Sequence, residues 1–294
     1  MRVQKEKAYA KINLYLDVVA MRPDGFHDIK SVMHTVSLCD EISVKYAPSS
    51  KTSIKIFVTG NKYLPLDNKN LAYKAAALFL ERLSLSADIE ISIVKNIPVA
   101  AGLAGGSADA AAVLKAMNKV FGRAFSEKAL YSIAAELGSD IPFCLYGKTA
   151  LCEGRGEIMT KLPDGISSVF VIAVGNEHIS TPSAYKKLDE IFSSFDGSVN
   201  TGGDKYYDKL MEDIKIGKLS ENSLFNVFEA AVLPTCPYAS KIKEELLRLG
   251  ASAALMSGSG PSVFGVFENR EAAERASTEL IKLGFNAFVA ESVK

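Results

Sequence analysis

The segment Pro98-Val99-Ala100-Ala101-Gly102-Leu103-Ala104-Gly105-Gly106-Ser107-Ala108 puts three glycines and four alanines between a strand pattern and a helix pattern. Glycines let backbone come close to a ligand and turn its N–H groups inward. The start of the following helix adds unpaired N–H donors and about half a positive charge. Together these suit a phosphate, and Ser107 could reach a phosphate oxygen or its Mg²⁺. The segment lacks the lysine of G-x-x-x-x-G-K-[ST] and does not match G-x-G-x-x-G, so it is neither a P-loop nor a dinucleotide fingerprint. A helix-start turn of small residues accounts for the same composition, so this segment alone does not decide a function.

Four further places carry residue types able to do chemistry. Asp140, in Gly138-Ser139-Asp140-Ile141-Pro142-Phe143, follows a helix end and precedes a proline-fixed turn. A carboxylate there could take a proton from an attacking hydroxyl, worth ~10²–10⁴ in rate, or it could merely close an Asx-turn or cap a helix. Lys11 lies on a strand pattern, which puts it on the same face as Asn13. It gains meaning beyond a solvated lysine only if it faces the same cleft as Asp140. Met256-Ser257-Gly258-Ser259-Gly260-Pro261-Ser262 is either a tight hairpin or a second backbone cradle over a phosphate. In Pro23-Asp24-Gly25-Phe26-His27-Asp28, an aromatic beside a histidine could grip a flat base by stacking and hydrogen bonding. A turn with an edge aromatic explains it equally well.

The surrounding pattern predicts the elements that position these residues. Residues 8–18 alternate, with Ala10, Ile12, Leu14, Leu16 and Val18 on one face, and predict a half-buried strand ended by the turn at Arg22-Pro23-Asp24-Gly25. Strands are expected at 42–46, 54–58 and 89–94, and a helix at 70–83. The glycine-rich loop leads into a helix from about Ser107 to Phe121, with a slim face of Ala108, Ala111, Ala112 and Ala116. A second helix, 126–137, has Ser126 as N-cap and stops at Gly138. Leu162-Pro163-Asp164-Gly165 marks a domain junction, dividing the chain into 1–163 and 164–294. Beyond it come a strand at 168–174, a helix opened by Thr181 as N-cap with Pro182, a polar flexible loop at 196–206 and helices across roughly 204–249. The end reads as strand 251–257, strand 262–267, helix 270–283 and strand 285–291. Strands and helices mix without strict βαβ alternation, which is an α+β pattern.

Composition narrows the class. The 294 residues are 48% hydrophobic and 23% charged, enough for two medium domains each with a core. Thirty-four basic residues balance 34 acidic ones, so there is no electrostatic footprint for nucleic acid or a membrane surface. Cys39, Cys144, Cys152 and Cys236 form no C-x-x-C pair and have no metal-ligand spacing with His27, His34 or His178. No protein metal site is expected, and scattered thiols fit a reducing compartment. The N-terminal stretch has no signal or transit character and no run reaches membrane-spanning length. The reading is a cytoplasmic protein.

Taken in order, the motifs resemble the GHMP kinase superfamily, which includes galactokinase, homoserine kinase and mevalonate kinase. PVAAGLAGGSADAA is similar to its central loop. AKINLYLDV, MRPDGFHDIKSVMHTVSL, LGSDIPFCLYGKTALCEGRGE and MSGSGPSVFGVF carry the resemblance from about residue 6 to 290. They resemble most closely the branch that phosphorylates a cytidylyl-linked methylerythritol in the non-mevalonate isoprenoid route, for which Arg22-Pro23-Asp24-Gly25-Phe26-His27 is the discriminating segment.

The resemblance implies a two-domain fold, with a mixed-sheet N-terminal domain and a ferredoxin-like C-terminal domain. It implies ATP as phosphate donor, held by residues 98–108, with Mg²⁺ brought by the nucleotide. Lys11 and Asp140 are implied as the catalytic pair. Asn13, Phe26, His27, Thr181 and Tyr185 are implied as substrate-binding, and the Gly258–Gly260 loop as support for the phosphate region. It implies a monomer or homodimer acting on a small molecule. Two departures stand out: Phe26 where the family has tyrosine, which keeps stacking and loses a hydroxyl, and Lys148 where glycine is usual.

Overall fold

The computed structural model describes residues 2–192 and 201–293. By spatial contact the chain forms two compact units that interleave in sequence. One comprises residues 1–10, 39–99 and 104–147, and the other 11–38, 100–103 and 148–294. This partition follows a different line from a single cut at 163/164.

The first unit is built from the outer parts of two long strands, β1 (Arg2–Met21) and β2 (His27–Pro48), with β3 (Ser53–Thr59), α1 (Leu71–Leu83), β4 (Ala87–Val94), α2 (Gly105–Val120), α3 (Glu127–Leu137) and the six-residue α4 (Ile141–Tyr146). β4 runs antiparallel to β2, from Glu41 opposite Val94 to Pro48 opposite Ala87, and parallel to β3. Its alternation buries Ala87, Ile89, Ile91 and Ile93 in one row, the period-two signature of a strand with one face in a core. α1 and α2 pack together, and α2 buries the small residues Ala108, Ala111, Ala112 and Ala116. Asn70 caps α1 by accepting from Ala72 N–H at 2.9 Å. Ser126 caps α3 by accepting from Ala129 N–H, and Gly138 ends that helix as expected.

The second unit adds β5 (Thr149–Gly154), β6 (Ile158–Lys161), β7 (Val169–Val174), α5 (Thr181–Ile191), α6 (Asp204–Ile216), β8 (Phe225–Asn226), α7 (Phe228–Val232), α8 (Pro237–Arg248), β9 (Ala253–Met256), β10 (Val263–Phe267), α9 (Arg270–Lys282) and β11 (Asn286–Glu291). β7, β9, β10 and β11 form an antiparallel sheet in the order β11-β7-β10-β9. Ranked by chain position, that is fourth, first, third, second, the ferredoxin-like order. Its core gathers Val171, Ala173, Ile242, Leu246, Ala276 and Leu280. β5 pairs antiparallel with the start of β2 and forms a hairpin with β6, and β8 lies parallel to β1 at Tyr15 and Leu16.

The structure corrects four sequence expectations. β1 is buried on both faces from Ala10 to Val18, not half-buried, because its polar row of Lys11, Asn13 and Asp17 is enclosed by hydrogen-bonding groups. β2 is 22 residues long where only 42–46 was expected, since its polar residues blur the alternation. The N-cap of α5 is Ser180, which accepts from Ser183 N–H, while Thr181 is the first helical residue. Of the loop expected at 196–206, residues 196–200 lie outside the described residues, and 204–206 belong to α6. No helix among the described residues is long and apolar enough to cross a membrane.

Candidate active site

The loop between β4 and α2 takes a left-handed backbone at every second residue: Ala100 (φ 54°), Gly102 (φ 76°) and Ala104 (φ 55°). Two of the three are alanines, for which this conformation costs about 1–2 kcal/mol each. Such strain persists only where surrounding structure enforces it, and it clusters at ligand clamps. Alternating left-handed residues turn successive N–H groups toward one side, the geometry of an anion nest. α2 then begins at Gly105 with no side chain capping its first turn. Pro98, Val99, Ala101, Leu103, Gly106, Ser107 and Ala108 complete the run, and Ser107 is half-buried.

A buried ionic group lies within the first unit at the root of this loop. Lys95 Nζ donates to Asp40 and, at 2.8 Å, to Asp109 Oδ2. Asp40 Oδ1 also accepts from the N–H groups of Asn96 and Ile97, at 2.6 and 2.8 Å. The loop's entry and the fifth residue of α2 are thus tied to one lysine. Asp109 Oδ1 is buried without a hydrogen-bond partner. Burial pushes the Asp109 carboxyl up to about 7, against the pull of Lys95. The sequence reading missed this group. Its only local signal was a lysine directly before the loop and an acid directly after it.

Asp140 occupies the N-cap position of α4, yet its carboxylate makes no capping bond there. That removes the plainer reading of Asp140 as a helix cap. The acid is half-buried, and its carbonyl accepts from Cys144 N–H at 3.1 Å.

In the second unit, Lys11 and Asn13 share a face of β1 as the spacing predicts. Lys11 is 5% exposed, and its Nζ donates to Asn13 Oδ1 at 2.7 Å. Asn13 Nδ2 donates onward to Ser31 Oγ, which donates to the Tyr15 carbonyl, both at 2.8 Å. This relay fixes the Asn13 amide with its oxygen toward the lysine. An ammonium has three N–H donors, so two remain for other acceptors. Lys11 Nζ also lies beside Gly258: a β-carbon on that glycine would be 3.5 Å away. The second glycine loop is therefore a neighbour of Lys11.

Phe26 and His27 diverge despite being adjacent. His27 is buried and stacks on Tyr185, with ring centroids 4.7 Å apart and planes at 23°. Its Nε2 meets Asp189 Oδ1 at 2.8 Å. Phe26 is half exposed and lies under the Arg155 guanidinium, 3.7 Å from the ring centroid. Tyr185 is braced edge-on by Phe228. Thr181 Oγ1 bonds Ser259 Oγ at 2.8 Å, which joins the start of α5 to the second glycine loop. Asp189 and Arg155 escaped the sequence reading because their partners are more than a hundred residues away. Among the described residues, no group of three or more His, Cys, Asp or Glu could hold a metal ion.

Comparison with known proteins shows the family. Residues 70–148 match the GHMP kinases N terminal domain and residues 210–286 the GHMP kinases C terminal family. The 4-diphosphocytidyl-2-C-methyl-D-erythritol kinase of Caldicellulosiruptor saccharolyticus is 41% identical over 276 residues, covering 93% of this chain and 91% of its own length. The chain belongs to the 4-diphosphocytidyl-2-C-methyl-D-erythritol kinase family. A second member, from Acetivibrio thermocellus, is 41% identical over 290 residues and 98% of both chains. A crystal structure titled 4-(cytidine 5'-diphospho)-2C-methyl-D-erythritol kinase superposes with a TM-score of 0.81 at 29% identity, over 99% of this chain and 100% of that one.

Proposed function

We propose that this kinase transfers the γ-phosphoryl group of ATP to the 2-hydroxyl of 4-diphosphocytidyl-2-C-methyl-D-erythritol, giving the 2-phosphate and ADP. The observation that carries the residue assignment is the left-handed backbone at Ala100, Gly102 and Ala104 before the uncapped start of α2. Residues 98–108 hold the ATP phosphates through backbone N–H groups and the helix dipole. Phosphoryl transfer asks mainly for positioning and charge stabilisation. Asp140, free of a capping duty, accepts the proton of the attacking 2-hydroxyl. Lys11, held by Asn13, supports the charge on the transferring group. Mg²⁺ brought by ATP would supply charge neutralisation at its phosphates.

The pyrimidine end is gripped by His27 and Tyr185, whose stacked planes and Asp189-held imidazole provide faces and hydrogen-bond edges for a flat base. Phe26 adds an exposed ring. Thr181 lies with Ser259 beside the second glycine loop. Four cysteines scattered along the sequence without C-x-x-C spacing fit a reducing compartment, which supports action in the cytoplasm.

A substrate panel tests the proposal. Purified protein should release ADP from ATP when the cytidylyl substrate is added, and not with homoserine, mevalonate or galactose. ADP release with one of those three and none with the cytidylyl substrate would overturn it.

A further inference from the structure

Asn226 is 3% exposed on the two-residue strand β8, and both ends of its side-chain amide are hydrogen-bonded. Nδ2 donates to the carbonyls of Met256 and Gly258, at 2.7 and 2.8 Å. Oδ1 accepts from Phe228 N–H at 3.0 Å. The opposite orientation of the amide would set its oxygen against two carbonyls, so this pattern admits one rotamer. Asn226 therefore anchors the start of the second glycine loop to β8, and β8 is itself paired with β1.

That loop in turn grips the phosphate loop. Ser257 Oγ donates to the Gly102 carbonyl at 3.1 Å. The Ala101 carbonyl accepts from both the N–H and the hydroxyl of Ser262. The Leu103 carbonyl accepts from Lys11 N–H at 3.2 Å. Three consecutive carbonyls, 101 to 103, are thus held by the protein. In a trans peptide the C=O and N–H point in opposite directions. Holding those carbonyls aims the N–H groups of Gly102, Leu103 and Ala104 away from their holders, as an anion site requires.

We infer that Asn226 is a positioning residue for the phosphate-binding loop: it fixes the 256–262 turn, which ties back carbonyls 101 and 102 so that the next N–H groups face the nucleotide. The inference rests on reading residues 98–108 as the phosphate site. It does not depend on which molecule receives the phosphate.

Asn226→Asp tests it, because the shape and the bond from Phe228 N–H are kept while both donors are lost. The readouts are KM for ATP, KM for the cytidylyl substrate, and calorimetric binding of a non-hydrolysable ATP analogue. In the folded variant, KM for ATP and the analogue's Kd should rise about tenfold or more, with the cytidylyl KM changing less than twofold, as expected for buried carbonyls left without donors. Analogue affinity within twofold of wild type, or an equal rise in both KM values, overturns the inference. Ser257→Ala and Ser262→Ala decide it if Asn226→Asp does not fold. Each removes one bond to the phosphate loop and leaves Asn226 intact, and each should raise the analogue's Kd at least threefold. Unchanged affinity in both serine variants overturns it as well. A wild-type protein that binds the analogue but fails on the cytidylyl substrate would refute the proposed acceptor and leave this inference standing.

Discussion

Gly102 passes so close to Ser257 that a β-carbon on the glycine would lie 2.1 Å from the Ser257 carbonyl oxygen. The obstacle is backbone, with no flexible side chain to yield, and Gly102 also has a φ of +76°. Gly102→Ala therefore meets two penalties at once: left-handed strain of about 1–2 kcal/mol and a collision that forces the two loops apart. The expected outcome is a lower melting temperature and a KM for ATP raised about tenfold or more. A variant with wild-type melting and wild-type KM for ATP would show that the two loops need not touch.

Asp140→Asn and Lys11→Met separate chemistry from binding. The asparagine keeps the shape of Asp140 and loses the proton acceptor, so kcat should fall ~10²–10⁴-fold. Removing one donor that stabilises developing charge costs on the order of 10²–10³ in rate, the fall expected for Lys11→Met. In both variants the Kd for an ATP analogue should stay within about threefold of wild type. Single-turnover rates with saturating substrates check this, and wild-type turnover in Asp140→Asn would remove it from its role.

Tyr185→Ala strips the face on which His27 stacks and leaves the phosphate loop untouched. Loss of an aromatic–base contact is worth about 1–3 kcal/mol. The KM for the cytidylyl substrate should then rise roughly tenfold or more while the KM for ATP holds. A matching rise in both would mean that Tyr185 acts by packing against Phe228 and not by holding the base.

His34 makes stability depend on pH. It is buried between Thr149 Oγ1 and Ser292 Oγ, at 2.8 and 2.9 Å, and burial pushes its pKa down from 6.5 to about 4. The unfolded chain thus binds a proton at a pH where the folded chain does not. The stability tied to neutral His34 is complete above pH 6.5 and is lost as pH falls toward 4. The shift corresponds to roughly 3 kcal/mol. Urea midpoints should fall across that window in wild type and fall less in His34→Gln. Parallel curves for the two proteins would exclude His34 as the cause.

Local pattern was readable where one periodicity and one chemistry coincided. The alternation of β4, the caps Ser126 and Gly138, and the shared face of Lys11 and Asn13 all follow from spacing within a few residues. β2 was legible only in part, because Ser31, His34 and Thr35 are buried polar residues whose partners lie elsewhere in the chain. The same limit hid Asp189 beside His27, Arg155 over Phe26 and Asn226 beneath Gly258. The sequence marks a glycine-rich turn at 256–262, but only the fold shows that it closes on Ala101 and Gly102. Periodicity reports which way a side chain faces along its own element, and these pairings join elements far apart in sequence.

Asp109 has the opposite pH sign to His34. Its carboxyl is raised from 3.8 to about 7 by burial, so the charged form is the disfavoured one in the folded state. The stability it contributes is complete below pH 3.8 and is lost as pH rises through 7. Asp109→Asn abolishes the ionisation, while its amide oxygen can still accept from Lys95, now 2.8 Å from Asp109 Oδ2. The variant's urea midpoint should therefore gain on wild type as the pH is raised from 5 to 8. The same ionisation sets a negative charge early in α2, the helix whose N-terminus is assigned to the phosphates, where anions compete with the helix dipole's attraction. Wild-type KM for ATP should accordingly climb above pH 7 more steeply than that of Asp109→Asn. A gap between the two midpoints that stays constant from pH 5 to 8 would show that Asp109 is ionised throughout, with Lys95 outweighing its burial.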